Sequence, residues 1–211
     1  AQCIPPDPRD PLGNGAALPV VAYVGNEYHA TLLMTATLLA VMVRQLGKAQ
    51  IKDSLASISG TFFGVFYVGW LLSHTIVLRQ FHASVIARFG RGAVAQLGIA
   101  DEAGIFFMIY TLTVVVWCDA GAYFAGRAYG RRKLAPKISP GKSVEGTIGG
   151  LFAGTLAGFV AKGFFDAFWP ALSHPFGWGA ALVFGLVISL VAIVGDLVES
   201  LLKRDAAVKD T

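Results

Sequence analysis

Residues 196–211 hold the groups best suited to chemistry: Asp196, Glu199, Ser200, Lys203 and Arg204, then Lys209 and Asp210. They stand where a long apolar run meets water. On a helix the first five follow at three- and four-residue steps, so they share one stripe. Hydrocarbon tolerates such groups only where they face a wet cavity, pair with each other, or bind a charged ligand. A stripe with both carboxylates and cations suits a metal and the phosphates that metal carries. The plainer alternative is an ion-paired helix end whose cations complement the C-terminal dipole.

Such a stripe needs apolar elements to hold it. Of 211 residues, 55% are hydrophobic and only 14% charged, and the mean hydropathy is +0.62. A soluble domain of this length carries nearer a quarter charged residues. Several stretches exceed the roughly 18 residues that mark a span, so the chain reads as an all-α, polytopic integral membrane protein. The net charge of +4 suits anionic lipid or phosphate. No aromatic–basic interleaving points to nucleic acid. Cys3 and Cys118 are too far apart for a disulfide framework or zinc spacing.

Five apolar segments are expected: about Tyr28–Val43, Leu55–Leu78, Ala103–Phe124, Thr147–Phe165 and Gly177–Val198. They form a single membrane-embedded domain over residues 1–211, with residues 1–19 as a proline-rich loop and 125–146 as a polar loop. Glycines around the fourth segment, among them Gly150, Gly154 and Gly158, allow close helix contact. Lys and Arg divide twelve against five between the two sides, which puts residues 125–146 and the C-terminal stripe in the cytoplasm. Residues 80–98 read as an interfacial amphipathic helix. His29, His74, His82 and His174 form no metal spacing.

Asp119 lies inside the third apolar segment, where an acid marks a functional site by default. Downstream, Lys142 stands among Ser139, Pro140, Gly141, Ser143 and Gly146. These small residues can expose backbone N–H groups and hydroxyls to an anion. A helix beginning near Glu145 adds its dipole. The Gly141-Lys142-Ser143 run is not a P-loop: position 136 is proline where that motif needs glycine, and no strand precedes it. Ser200 with Lys203 lacks the strained elbow of a Ser–Lys hydrolase.

These residues resemble the phosphatidate cytidylyltransferase (CDP-diacylglycerol synthase) family. The likeness rests on Asp119 with Ala122-Tyr123 and Gly126, and on Ile138-Ser-Pro-Gly-Lys-Ser-Val-Glu-Gly146 with Gly149-Gly150. It rests also on Gly195-Asp196 and on Ser200-x-x-Lys203-Arg204, four residues, then Lys209-Asp210. It covers roughly residues 50–211. The family signature continues past Lys-Asp with His-Gly-Gly, Asp-Arg-x-Asp and a final span, so the resemblance implies a piece of a longer protein. One metal-binding aspartate and early spans would then be missing.

The resemblance implies transfer of a cytidylyl group from CTP to phosphatidic acid, with Mg²⁺ required and a second metal ion conceivable. Asp196 is the first expected metal ligand, with Asp119 and Asp210 behind it. Asp196, Asp119, Ser200, Lys203 and Arg204 form the expected catalytic set. Lys142, Lys209, Ser139 and Ser143 would bind phosphates, and Glu145 would either cap the loop or hold the base or ribose. The expected location is a bacterial inner membrane with the site facing the cytoplasm, and a homodimer is a further expectation. Two other classes remain open: a related transferase acting on an isoprenoid lipid, and a transporter using intramembrane acids. No internal repeat of the transporter kind is present.

Overall fold

The computed structural model describes residues 27–46, 54–136 and 138–205. The proline-rich start, Lys137, Lys209 and Asp210 lie outside the described residues. The chain groups into two compact units, Ala1–Gln80 and Phe81–Thr211.

The first unit contains α1 (Glu27–Leu46), α2 (Ser54–Gly64), a π-helical stretch (Val65–Trp70) and α3 (Leu71–Arg79). From Ile58 to Arg79 these run on as one apolar helix of spanning length. Aromatic rings stack along it one turn apart, Phe62 on Phe66 at 6.3 Å and Phe66 on Trp70 at 6.2 Å. The first expected span is helical: α1 runs for 20 residues and includes the apolar stretch Thr31–Arg44.

The second unit begins with α4 (Phe81–Phe89) and α5 (Arg91–Leu97). One amphipathic helix is expected here, and the structure divides it at Gly90, whose φ of 81° no ordinary side chain adopts comfortably. Three long helices follow: α6 (Ala103–Tyr129), α7 (Val144–Phe168) and α9 (Trp178–Asp205), with the short α8 (Pro170–Ser173) before the last. All three are long and apolar enough to cross a membrane, and with the apolar, charge-poor composition they make the chain an integral membrane protein. Their outward residues are large and apolar: Val116, Phe152, Val160 and Val191 are each more than half exposed. In a bilayer those surfaces meet acyl chains.

α6 and α7 approach closely because α7 carries glycine where any side chain would collide. A Cβ at Gly150 would stand 2.8 Å from the Cys118 carbonyl oxygen, and one at Gly158 would stand 2.7 Å from the Tyr110 hydroxyl. Without an aqueous driving force between helices, such close contact is what holds membrane segments together. An aromatic core of Phe106, Tyr110, Phe165 and Phe176 lies toward one end of the three helices. There Tyr110 donates its hydroxyl to the Ala181 carbonyl at 2.6 Å, tying α6 to α9.

Near that end lies a buried ion pair. Lys162 counts in the sequence as a loop cation, yet its side chain is only 4% exposed inside α7. Its Nζ lies 2.6 Å and 2.7 Å from the two Asp166 oxygens, and Ser173 donates to Asp166 at 2.6 Å. The Trp178 ring, 5.1 Å away, covers the ammonium. A charge so enclosed persists only with a partner.

The polar loop is more ordered than its composition predicts. α6 continues to Tyr129, and an antiparallel ribbon of β1 (Lys133–Ala135) and β2 (Ser139–Ser143) follows, pairing Lys133 with Ser143 and Ala135 with Ser139. This is the one departure from an all-α reading among the described residues. β2 feeds directly into α7.

Candidate active site

Helical spacing places the first wall. From Asp119, steps of three and four reach Ala122, Tyr123, Gly126 and Arg127, and all five line one cavity of about 350 Å³. Arg127 donates to the Tyr123 hydroxyl at 3.1 Å on the same face.

The second wall is the junction of β2 and α7. Ser143 is the N-cap: its Oγ accepts the Gly146 amide at 3.1 Å, and Thr147 Oγ1 donates back to the Ser143 carbonyl at 3.1 Å. A serine in this position satisfies a helix amide that would otherwise lack a partner. A Cβ on Gly146 would stand 2.8 Å from the Ala122 carbonyl, so glycine lets this helix start press against the Asp119 face of α6. Gly141, Lys142, Ser143, Gly146 and Thr147 complete that side.

α9 supplies the third wall with Ile193 and Asp196. Lys142 Nζ lies 2.6 Å from Asp196 Oδ2. The ammonium nitrogen is sealed from solvent, and the contact is an ion pair off hydrogen-bonding alignment, so its N–H donors remain unspent. Asp196 is about half exposed. Asp119 lies within the electrostatic reach of Asp196, Lys142 and Glu199. The cavity therefore offers two carboxylates, a desolvated cation and a helix N-terminus. That set can bind a polyanion accompanied by a divalent cation.

The structure gathers Asp119, Lys142, Ser143 and Asp196, and distributes the other expected residues differently. Ser139 sits in the ribbon opposite Ala135. Ser200 donates to the Asp196 carbonyl one turn back at 2.8 Å. Lys203 pairs with Glu199 at 2.9 Å along the helix surface. Arg204 Nε donates to the Ile138 carbonyl. Glu145 accepts the Arg131 amide at 3.0 Å, and the Arg132 amide at 3.2 Å and 3.3 Å. Among the described residues of the C-terminal stripe, only Asp196 lines the cavity. Tyr123, Arg127, Thr147 and Ile193 line it without having been singled out as site residues. For Tyr123 and Arg127 the signal was available, since both lie in helical register with Asp119.

Among the described residues, no three His, Cys, Asp or Glu side chains cluster as a self-sufficient metal cage. Magnesium does not require one: it is commonly held by one or two carboxylates plus substrate phosphates and water. Asp119 and Asp196 on one cavity fit that pattern.

The fold and site define a helical membrane protein with a polyanion-receptive cavity at one end of three packed spans. The family model described as the cytidylyltransferase family matches residues 16–211, and the chain belongs to that family. It is 40% identical over 108 residues to a phosphatidate cytidylyltransferase of Haemophilus influenzae, covering 51% of this chain and 36% of that protein. A Pseudomonas aeruginosa protein of the same name is 46% identical over 105 residues, 49% of this chain and 36% of the relative. One from Staphylococcus saprophyticus is 33% identical over 151 residues, 67% of this chain and 54% of the relative. The chain spans about half or less of the length of these curated relatives.

Proposed function

We propose that this chain carries the nucleotidyl-transfer site of a phosphatidate cytidylyltransferase, forming CDP-diacylglycerol and pyrophosphate from CTP and phosphatidic acid. The observation that carries the reading is the desolvated Lys142 ammonium set against Asp196 in the cavity that Asp119 also lines, in a member of the cytidylyltransferase family.

In the reaction, a phosphate oxygen of the lipid forms a bond to the α-phosphorus of CTP. The bond from that phosphorus to the bridging oxygen breaks, and pyrophosphate leaves with the electron pair. The nucleophile is already an anion, so the protein has little covalent work; it must hold two polyanions together and stabilise charge on the leaving group. Lys142, with unspent N–H donors, and the positive end of the α7 dipole provide that stabilisation. Arg127, at the cavity wall, adds a second cation. Asp119 and Asp196 would hold Mg²⁺, which supplies charge neutralisation between phosphates. The cavity opens at the end of spans whose outer faces are apolar, so a lipid phosphate can reach it from the membrane surface.

The Lys and Arg distribution supports a cytoplasmic site in a bacterial inner membrane, where CTP is available. A homodimer belongs with the same reading, and the mass of the purified protein in detergent checks it. The deciding experiment is CDP-diacylglycerol formation from CTP and phosphatidic acid with Mg²⁺, on the full-length protein and its Asp196→Asn variant. Product from the first and little from the second supports the proposal. Turnover only with an isoprenoid phosphate acceptor would replace it with the related-transferase alternative.

A further inference from the structure

The ribbon that presents Lys142 and Ser143 is short, and two paired positions do not fix a ribbon against a cavity on their own. Two side chains from outside it hold its backbone. At its base, the Glu145 carboxylate takes the amides of Arg131 and Arg132, while the Val144 amide donates to the Arg132 carbonyl at 2.9 Å. Where β1 passes to β2, the Arg204 guanidinium reaches from the end of α9 to the Ile138 carbonyl. Neither residue lines the cavity.

We propose that Glu145 and Arg204 are positioning residues, which fasten the base and the turn of the ribbon so that Lys142 and Ser143 face the cavity, and that neither touches substrate. A charged partner on a neutral backbone group gives a stronger hydrogen bond than a neutral pair. Two such bonds at opposite ends of a small ribbon suppress its local opening. The fastening also makes the ribbon respond to α9, since Arg204 and Asp196 ride on the same helix. A shift of that helix would move the carboxylate beside Lys142 and the ribbon carrying Lys142 together.

The kinetic part of this inference rests on the proposed activity, whereas the structural part does not. The test uses the full-length protein in detergent, with native-state trypsin digestion read at Arg131, Arg132, Lys133 and Lys142. Glu145→Ala and Arg204→Ala should each speed cutting there by about ten-fold. Glu145→Gln and Arg204→Gln, which keep an acceptor and a donor, should fall nearer the parent. Cutting at Lys162, buried inside α7, reports general unfolding; a variant that opens there too is judged through its Gln counterpart.

Two kinetic readouts separate positioning from contact. Glu145→Ala should slow CTP and dCTP turnover equally, leaving their ratio unchanged, because no ribose contact is lost. Arg204→Gln should recover most of what Arg204→Ala loses. Unchanged ribbon cutting in both alanine variants would overturn the proposal. So would a shifted CTP-to-dCTP ratio, or an Arg204→Gln as defective as Arg204→Ala beside a normal Arg204→Lys, since that pattern requires charge. If the parent protein makes no CDP-diacylglycerol, the activity reading fails while the digestion still decides this one.

Discussion

Lys142 and Asp196 meet at 2.6 Å although one belongs to a ribbon and the other to the last long helix. Burial of the ammonium makes the contact consequential. Its nitrogen is sealed from solvent and its N–H donors are not spent on the carboxylate, so an anion entering the cavity finds a desolvated cation already charge-balanced by Asp196.

Replacing Asp196 by Asn removes one carboxylate from the cavity and the counter-charge of Lys142. Under the proposed function, Asp196→Asn lowers kcat by about a hundred-fold or more. Initial rates of CDP-diacylglycerol formation across a Mg²⁺ titration check this, and a near-normal rate would remove Asp196 from the site.

Lys142→Met keeps the side-chain stem and deletes the charge. The KM for CTP should rise by about ten-fold, as for loss of one charge-assisted phosphate contact. Inhibition by pyrophosphate should weaken in parallel. Unchanged values for both would mean that Lys142 only neutralises Asp196.

The glycine seam between α6 and α7 predicts a contrast in stability. Gly150→Ala pushes a methyl toward the Cys118 carbonyl and should cost about 1–3 kcal/mol, seen as a lower thermal midpoint in detergent. Gly179→Ala meets nothing within 4 Å and should be neutral or slightly stabilising.

Lys162 and Asp166 predict strong coupling. Lys162→Met alone strands an acid and should cost about 3–5 kcal/mol, whereas Lys162→Met with Asp166→Leu should cost clearly less. A double-mutant cycle on thermal or denaturant stability measures the difference. Additive losses would show that the two charges act independently.

Much of the site was legible because its chemistry is unusual for its surroundings. Asp119 stands in an apolar helix, and Lys142 stands among small residues. Either exception is conspicuous in one dimension. The C-terminal stripe was less legible. Helical spacing correctly put Asp196, Ser200 and Lys203 near one another, but spacing does not say which member of a stripe turns to a cavity and which turns to its own helix. Ser200 and Lys203 satisfy themselves within one turn, a choice that depends on what faces α9.

By itself the sequence determined the apolar helices, through runs too long and too poor in charge for a soluble core, and the chemical kind of the site, through acids and cations placed where hydrocarbon penalises them. The tertiary structure decided the rest. It brought Lys142 to Asp196, buried Lys162 against Asp166, and folded a nominal loop into a ribbon held by Glu145 and Arg204. Each of these is a pairing across distant or competing partners. Local spacing encodes which residues share a helix face, but the cost of an unpaired charge away from water selects the partner only once helices have packed.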